Sequence, residues 1–441
     1  MLNIRKCCKS FRSTVMTLAT KKLHELADVF SGYAFKSKDL GEEGIPVVKI
    51  KNVNEKIVSK QCDQFLPDNL LNERLKKYLL QEKDILVAMT GQGSLGRIGK
   101  MTNQQGQYLV NQRVGVVRPK CEDDSIADYL FGVLALDEFE QRLYSLGAGA
   151  GQPNVSATDI GNLDIPYPSK SARDFIANAR ANYDNLIENN NRRIAILEDM
   201  AQSLYREWFV NFRYPNSKDN LDADGNPKLV DSPLGQIPEG WEVGELKSFC
   251  SKIGSGATPR GGKGAYKKEG IPLIRSMNIY DSTLVTKDLA FIDDEQAARL
   301  KNVIVEPDDV LLNITGASVA RCSIVPSAYT PARVNQHVAI IRLNNDRLSP
   351  EYLMYTLISK NGKARLLSTA QGGATREALT KTDIEKFQVV VPPSEIIKKF
   401  RAFVKESVKQ KEVLFLKNEN LKQQRDMLLP KLISGQIELK D

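Results

Sequence analysis

Residues Gly91 to Gly96 ("GQGSLG") carry the GxGxxG spacing with which a glycine-rich turn can cradle a phosphate, and they follow a strand-like run. A pyrophosphate also needs a helix next, so that its N-terminus faces the anion. Here "RIGKMTNQQGQYLVNQ" follows, which reads as strand and turn, with no acid placed about twenty residues on. The matching stretch further along, "GASVAR", lacks the later glycines. A tight loop between strands is therefore expected. Other chemistries fail on spacing too. Neither residues 93–100 nor residues 256–263 place Ser or Thr after Lys as a Walker A loop would. Methyl transfer would need an Asx-Pro-Pro-aromatic loop and a glycine-rich cofactor loop, and neither is present. Pro307 to Asp309 begins like a nuclease motif, but no acid-x-Lys follows at the right distance. With two histidines, His24 and His337, and no convincing cluster of acids, catalysis by this chain is not expected.

What remains is a set of polar, basic loops suited to nucleic acid. "SGYAFKSK" (residues 31–38) offers Tyr33, Lys36 and Lys38. "GSGATPRGGKGAYKK" (residues 254–268) offers Arg260, Lys263, Lys267 and Lys268 beside Tyr266. Arg and Lys next to glycine can approach phosphates or guanine edges, and Gln or Asn can pair with adenine. Gln92, Ser94 and Arg97 correspond by loop position to Ala317, Ser318 and Arg321. Gln152 and Asn154, in "GAGAGQPN", lie opposite Arg376 in "AQGGATR". Any one of these could be a solvated turn residue. Their recurrence at equivalent places, with different side chains, suits two related domains that read two different sequences.

That recurrence follows from a duplication. "EGIPVVKIKNV" (43–53) matches "EGIPLIRSMNI" (269–279) at an offset of 226. "RLKKYLLQEKDILVAMTG" (74–91) matches "RLKNVIVEPDDVLLNITG" (299–316) at 225. "NQRVGVVR" (111–118) matches "NQHVAIIR" (335–342), and "TDIGNLDIPYP" (158–168) matches "TDIEKFQVVVP" (382–392), both at 224. Such a period is far above that of solenoid repeats, so each copy should own its core. Each begins with β-branched runs such as "DILVAM" and "DVLLNI", bounded by Gly, Pro and Asn, and turns helical towards its end. A long helix then follows. Residues 172–212 contain no Pro or Gly, and Ile187, Ile194, Ala201 and Trp208 recur every seven residues, with Leu197 and Leu204 at the other seam positions. Asn190 is a polar seam residue that could set register. In the second copy Leu414, Leu421 and Leu428 are seven apart, and Pro430 and Gly435 should end or kink the helix. The two seams suggest that the helices pair with each other. Residues 214–241 between the copies have linker composition.

The 441 residues carry 62 basic and 54 acidic side chains, a surplus of eight. Arg5, Lys6, Lys9 and Arg12 lie in the first fifteen residues, so without that stretch the surplus is four. Net charge therefore says little about DNA. The start is too polar for a signal peptide and reads as a disordered extension, 1–15, before an alternative start at Met16. No apolar run is long enough for a membrane span. Cys7, Cys8, Cys62, Cys121, Cys250 and Cys322 show no CxxC spacing, which points to a reduced, cytoplasmic protein without structural zinc.

The chain resembles the specificity (S) subunits of type I restriction–modification enzymes from about Leu18 to its end. The resemblance rests on "GGATREALTKTDIEKFQVVVPPSE", the less typical "GAGQPNVSATDIGNLDIPYPS", the linker "SPLGQIPEGWEVGEL", and the helices "NRRIAILEDMAQSLYREWFV" and "LKQQRDMLLPKLISGQI". It implies an α+β fold of two tandem mixed α/β target recognition domains, 16–170 and 235–393. Spacer helices follow at 171–213 and 394–432, paired as an antiparallel coiled coil, with a linker at 214–234 and a tail at 433–441. It implies that each domain reads half of a split, asymmetric site in double-stranded DNA. The implied partners are methylation (M) subunits, two of them, and restriction (R) subunits. S-adenosylmethionine would then be bound by the methylation subunits and ATP with Mg by the restriction subunits, with no cofactor in this chain. A helix of about 38 residues spans roughly 57 Å at 1.5 Å per residue. At about 3.4 Å per base pair, that caps the separation of the domain centres near 17 base pairs. A duplicated protein-binding scaffold and a self-contained modification enzyme are the competing readings.

Overall fold

A computed structural model describes residues 19–54, 56–101, 106–120, 124–148, 153–222, 224–225, 227–344, 346–371 and 377–437. The chain divides into two compact units, Met1–Asn189 with Lys417–Asp441, and Asn190–Leu416.

The first unit is built on a six-stranded mixed sheet. Its order is Ala27–Ser31, Val114–Pro119, Ile85–Ala88, Ile98–Lys100, Lys56–Val58 and Val53–Asn54. A three-stranded sheet (Phe65–Leu66, Ile45–Val48, Leu109–Val110) packs its own small core of Ile45, Val47, Leu66, Leu75 and Leu109. The helices Asp124–Leu134 and Asp137–Gly147 close the larger core around Tyr129, Leu130 and Leu134. The second unit repeats the plan. Cys250–Ser255, Val338–Leu343, Val310–Asn313 and Cys322–Ile324 form the main sheet, and Pro350–Ile358 and Lys360–Gln371 are the equivalent helices.

The duplication extends to single hydrogen bonds. Arg118 makes a two-pronged bond to buried Asp84 (Nε–Oδ1 2.9 Å, Nη2–Oδ2 2.7 Å), and Arg342 does the same to Asp309 at 2.8 Å and 2.8 Å. Buried Asn52 accepts from the Lys49 backbone and donates to the Ser59 and Gln61 carbonyls. Buried Asn278 accepts from Arg275 and donates to Val285 and Lys287. Each amide thus ties down a turn whose backbone groups would otherwise be unpaired. Tyr129 donates to the Pro166 carbonyl and Tyr352 to that of Val390. One contact keeps its place while its charges exchange. Lys56 reaches Glu140 in the first unit, whereas in the second Asp281, on the equivalent turn, accepts from Lys363.

The long helices are Lys170–Phe209 and Ser394–Ile433. Their stretches pair antiparallel within each unit. In the first, Ile176 and Ala177 share a core with Leu429, Leu432 and Ile433, while Asp184 accepts from Arg425 at 2.6 Å. In the second, Glu198 pairs with Lys411, and Trp208 packs on Phe400 and Phe403. The residues named for the seam are buried to different extents. Ile187, Ala201, Trp208 and Leu414 are buried and Asn190, Ile194, Leu197, Leu204, Leu421 and Leu428 half-buried, whereas Leu186, Ile196 and Met200 face outward. Pro430 lies inside the second helix, which ends at Ile433 before Gly435 at φ +73°. A proline near the end forfeits one backbone bond without breaking the last turn. Leu229–Ser232 pairs with Gly235–Pro238 as a hairpin, and Phe212 and Tyr214 pack on Trp241.

Glu351 gives a pH prediction. Its Oε2 is buried without a hydrogen bond, 3.6 Å from Arg401 Nε, and Arg401 is itself committed to Asp308 at 2.7 Å. Burial pushes this carboxyl above its ordinary value. The folded state then holds the proton to higher pH than the unfolded chain does, so stability falls as pH rises from 4.5 through the raised value. Glu351→Gln should abolish that fall and raise the urea midpoint at pH 8, followed by tryptophan fluorescence. A lower midpoint for the variant at pH 8 would contradict the assignment.

Candidate nucleic-acid interface

One end of each main sheet gathers four loops. In the first unit they leave Ser31 and Ala88, precede Val114, and pass through Asn154. Gly32 N donates to the Val114 carbonyl, Tyr33 N to that of Val110, Met89 N to that of Arg113, and Thr90 bridges Asn154. In the second unit Gly256 N donates to Val338, Ala257 N to Val334, Ile314 N to His337, and Thr315 bridges Ala378. Two glycines allow this convergence. A Cβ on Gly32 would lie 2.4 Å from the Asn111 carbonyl oxygen, and one on Gly256 would lie 2.3 Å from that of Asn335.

The basic residues nominated by sequence are mostly presented to solvent. Lys36, Lys38, Gln92 and Asn154 are exposed in the first unit, with Ser94 and Arg97 half-buried. Ser94 hydroxyl bonds the Thr90 carbonyl, which shapes the turn. Gly91 to Gly96 form that turn between strands, and strand Ile98–Lys100, not a helix, follows it in the chain. In the second unit Arg260, Lys263, Lys267 and Lys268 are exposed. The Arg260 backbone is held at both N and O by the Gln296 amide, and Lys267 lies 3.6 Å from Asp293. Ser318 and Arg321 are half-buried, and Arg321 stacks on exposed Tyr280 at 4.4 Å. Gln152 and Arg376 lie outside the described residues, as does the extension 1–15.

The two tyrosines serve differently from the others. Tyr33 packs against Phe35 and Tyr78 at ring separations of 5.0 Å and 5.3 Å, and Tyr266 is half-buried against the small core beneath Arg275. Both plug their loops from below.

Sequence reasoning missed the turn at the centre of each cluster, Asn111–Gln112–Arg113 and Asn335–Gln336–His337. Asn111 Oδ1 accepts from Arg113 N and Asn335 Oδ1 from His337 N, each at 3.2 Å, so the asparagine shapes the turn in both copies. Gln112, Arg113 and Gln336 are exposed. In the second unit a polar chain crosses three loops. Thr258 hydroxyl donates to Gln336 Oε1, Gln336 Nε2 to His337 Nε2, and His337 Nδ1 to Thr315 Oγ1 at 2.7 Å. An amide nitrogen only donates, so with the Gln336 amide in this orientation Nε2 of His337 is the acceptor and Nδ1 the donor. The repeated "NQ" was the available signal.

The comparisons agree with this architecture. The family described as the type I restriction modification DNA specificity domain matches residues 17–199 and again 238–418, and the chain belongs to that family. It is similar to the type I restriction enzyme MjaIX specificity subunit of Methanocaldococcus jannaschii, 26% identical over 78% of this chain and 76% of that one. The putative MjaX specificity subunit of the same organism is 24% identical over 95% of this chain and 93% of its own length. The crystal structure of the type I restriction–modification S subunit from M. genitalium shares the fold, with a TM-score of 0.57 at 16% identity, covering 96% of this chain and 98% of that one. The role of this chain is DNA specificity. Among the described residues, no helix is long and apolar enough to cross a membrane.

Proposed function

We propose that each recognition domain reads one half of a bipartite, asymmetric DNA site, and that the paired helices set the number of unread base pairs between the halves. The observation that carries this is the loop cluster. Both units place polar and basic residues on the same four loops at the same end of the same sheet; some are shared, as Ser94 with Ser318 and Arg97 with Arg321, and others differ, as Gln92 with Ala317 and Arg113 with His337. Base edges in the major groove are distinguished by such side chains, while Lys and Arg contacts to phosphate fix register. The chain would thereby direct adenine methylation by two methylation subunits, which hold S-adenosylmethionine, and cleavage by restriction subunits that use ATP and Mg, in the cytoplasm.

The test is binding by the chain assembled with its methylation subunits. Affinity should be at least about a thousandfold higher for DNA carrying the site than for a scrambled duplex at the same salt concentration. Equal, steeply salt-dependent binding to both would leave a scaffold that attaches to DNA without reading it.

A further inference from the structure

The central turns keep two residues and vary the third, at the place where the other loops of the cluster converge. Two of three residues, Asn111–Gln112 and Asn335–Gln336, are the same in both copies, and the third differs, Arg113 against His337. The asparagines build the turn. The flanking strands are bonded alike, and Gly32 and Gly256 let the neighbouring loop close against the turn in both units. A fixed scaffold therefore presents one variable side chain at the middle of each loop cluster.

We infer that this position is specificity-determining: Arg113 reads a base in one half-site and His337 reads a base in the other. The inference rests on the two-half-site reading above. Arg113 is exposed, and among the described residues no hydrogen bond or ion pair holds its side chain. A guanidinium presented at a loop tip matches the O6 and N7 acceptors of guanine. His337 has the opposite polarity. With Nδ1–H committed to Thr315, its ring offers the Nε2 lone pair, which the Gln336 amide occupies in the free protein. An exocyclic amino group of adenine or cytosine takes that place when DNA binds. The bond between His337 Nδ1 and Thr315, which that exchange leaves intact, holds the ring for this and lowers the ordering cost on binding.

The test maps adenine methylation in cells carrying the methylation subunits with the wild-type chain, Arg113→His, or His337→Arg. Arg113→His should relax or change one base position in one half-site by about tenfold or more, leaving the other half-site and the spacer as they were. His337→Arg should change one position in the other half-site, towards guanine. An unchanged motif, or a uniform loss of methylation with the motif retained, would overturn the inference. Arg113 is exposed and outside the core, so Arg113→His decides the matter even if His337→Arg fails to fold. A wild-type chain that yields no bipartite motif would instead remove the two-half-site reading, and the two failures are thus distinct.

Discussion

Asp309→Ala is expected to lower the stability of the second recognition domain by about 3 kcal/mol, the usual cost of stranding one member of a buried ion pair. The Asp309 carboxylate is fully buried, takes both prongs of Arg342, and also accepts from Glu306 N at 2.7 Å. Hydrogen bonding to Asp309 is the main reason the Arg342 guanidinium is held more basic than usual. Glu306 at 2.7 Å would remain as a partner, but on the solvent side. Asp309→Asn should be little better, because its amide turns a donor towards a guanidinium that has no acceptor. The chain has two tryptophans, and both Trp208 and Trp241 belong to the core of the second unit. Tryptophan fluorescence in urea therefore reports that unit. Asp309→Ala should move its midpoint markedly, whereas Asp84→Ala, which breaks the equivalent pair in the first unit, should leave the fluorescence midpoint nearly in place. Equal midpoints for Asp309→Ala and wild type would contradict the assignment.

Seven residues inserted at facing positions of both long helices should lengthen the unread spacer by about three base pairs, since seven residues add about 10 Å of helix and a base pair occupies about 3.4 Å. Seven is the required number because it restores the apolar seam to the same face. The seam supports this choice, with Ile187, Ala201, Trp208 and Leu414 inward and Ile196 and Met200 59% and 58% exposed on the other side. Both half-sites should be retained in the methylated motif, and only the spacer should change. A motif with its original spacer would sink the proposal that the helices act as a ruler.

The architecture was legible in the sequence because its signals are periodic. A duplication leaves matched strings in constant order, and a heptad seam repeats often enough to survive single exceptions. The site was less legible for reasons particular to its residues. Tyr33 and Tyr266, each beside glycine and lysine, were named with their loops as candidate DNA contacts, yet the same composition suits an aromatic that packs beneath a loop. Gln112 and Gln336 were visible only as landmarks of the repeat, because nothing local says that the strand begins two residues later and leaves them at a tip. The charge exchange between Lys56–Glu140 and Asp281–Lys363 needs two distant segments to be brought together before it has meaning. The buried amides Asn52 and Asn278 are ordinary turn residues until their carbonyl partners are known.

The central claim is that this chain supplies DNA sequence choice through two half-sites. Its most direct test is a genome-wide map of methylated adenine in cells with and without the chain, the methylation subunits being present in both. The account predicts a single motif of two short specified halves around a fixed number of unspecified base pairs, present with the chain and lost without it. A methylation pattern that does not depend on the chain, or a motif with one uninterrupted specified block, would contradict it.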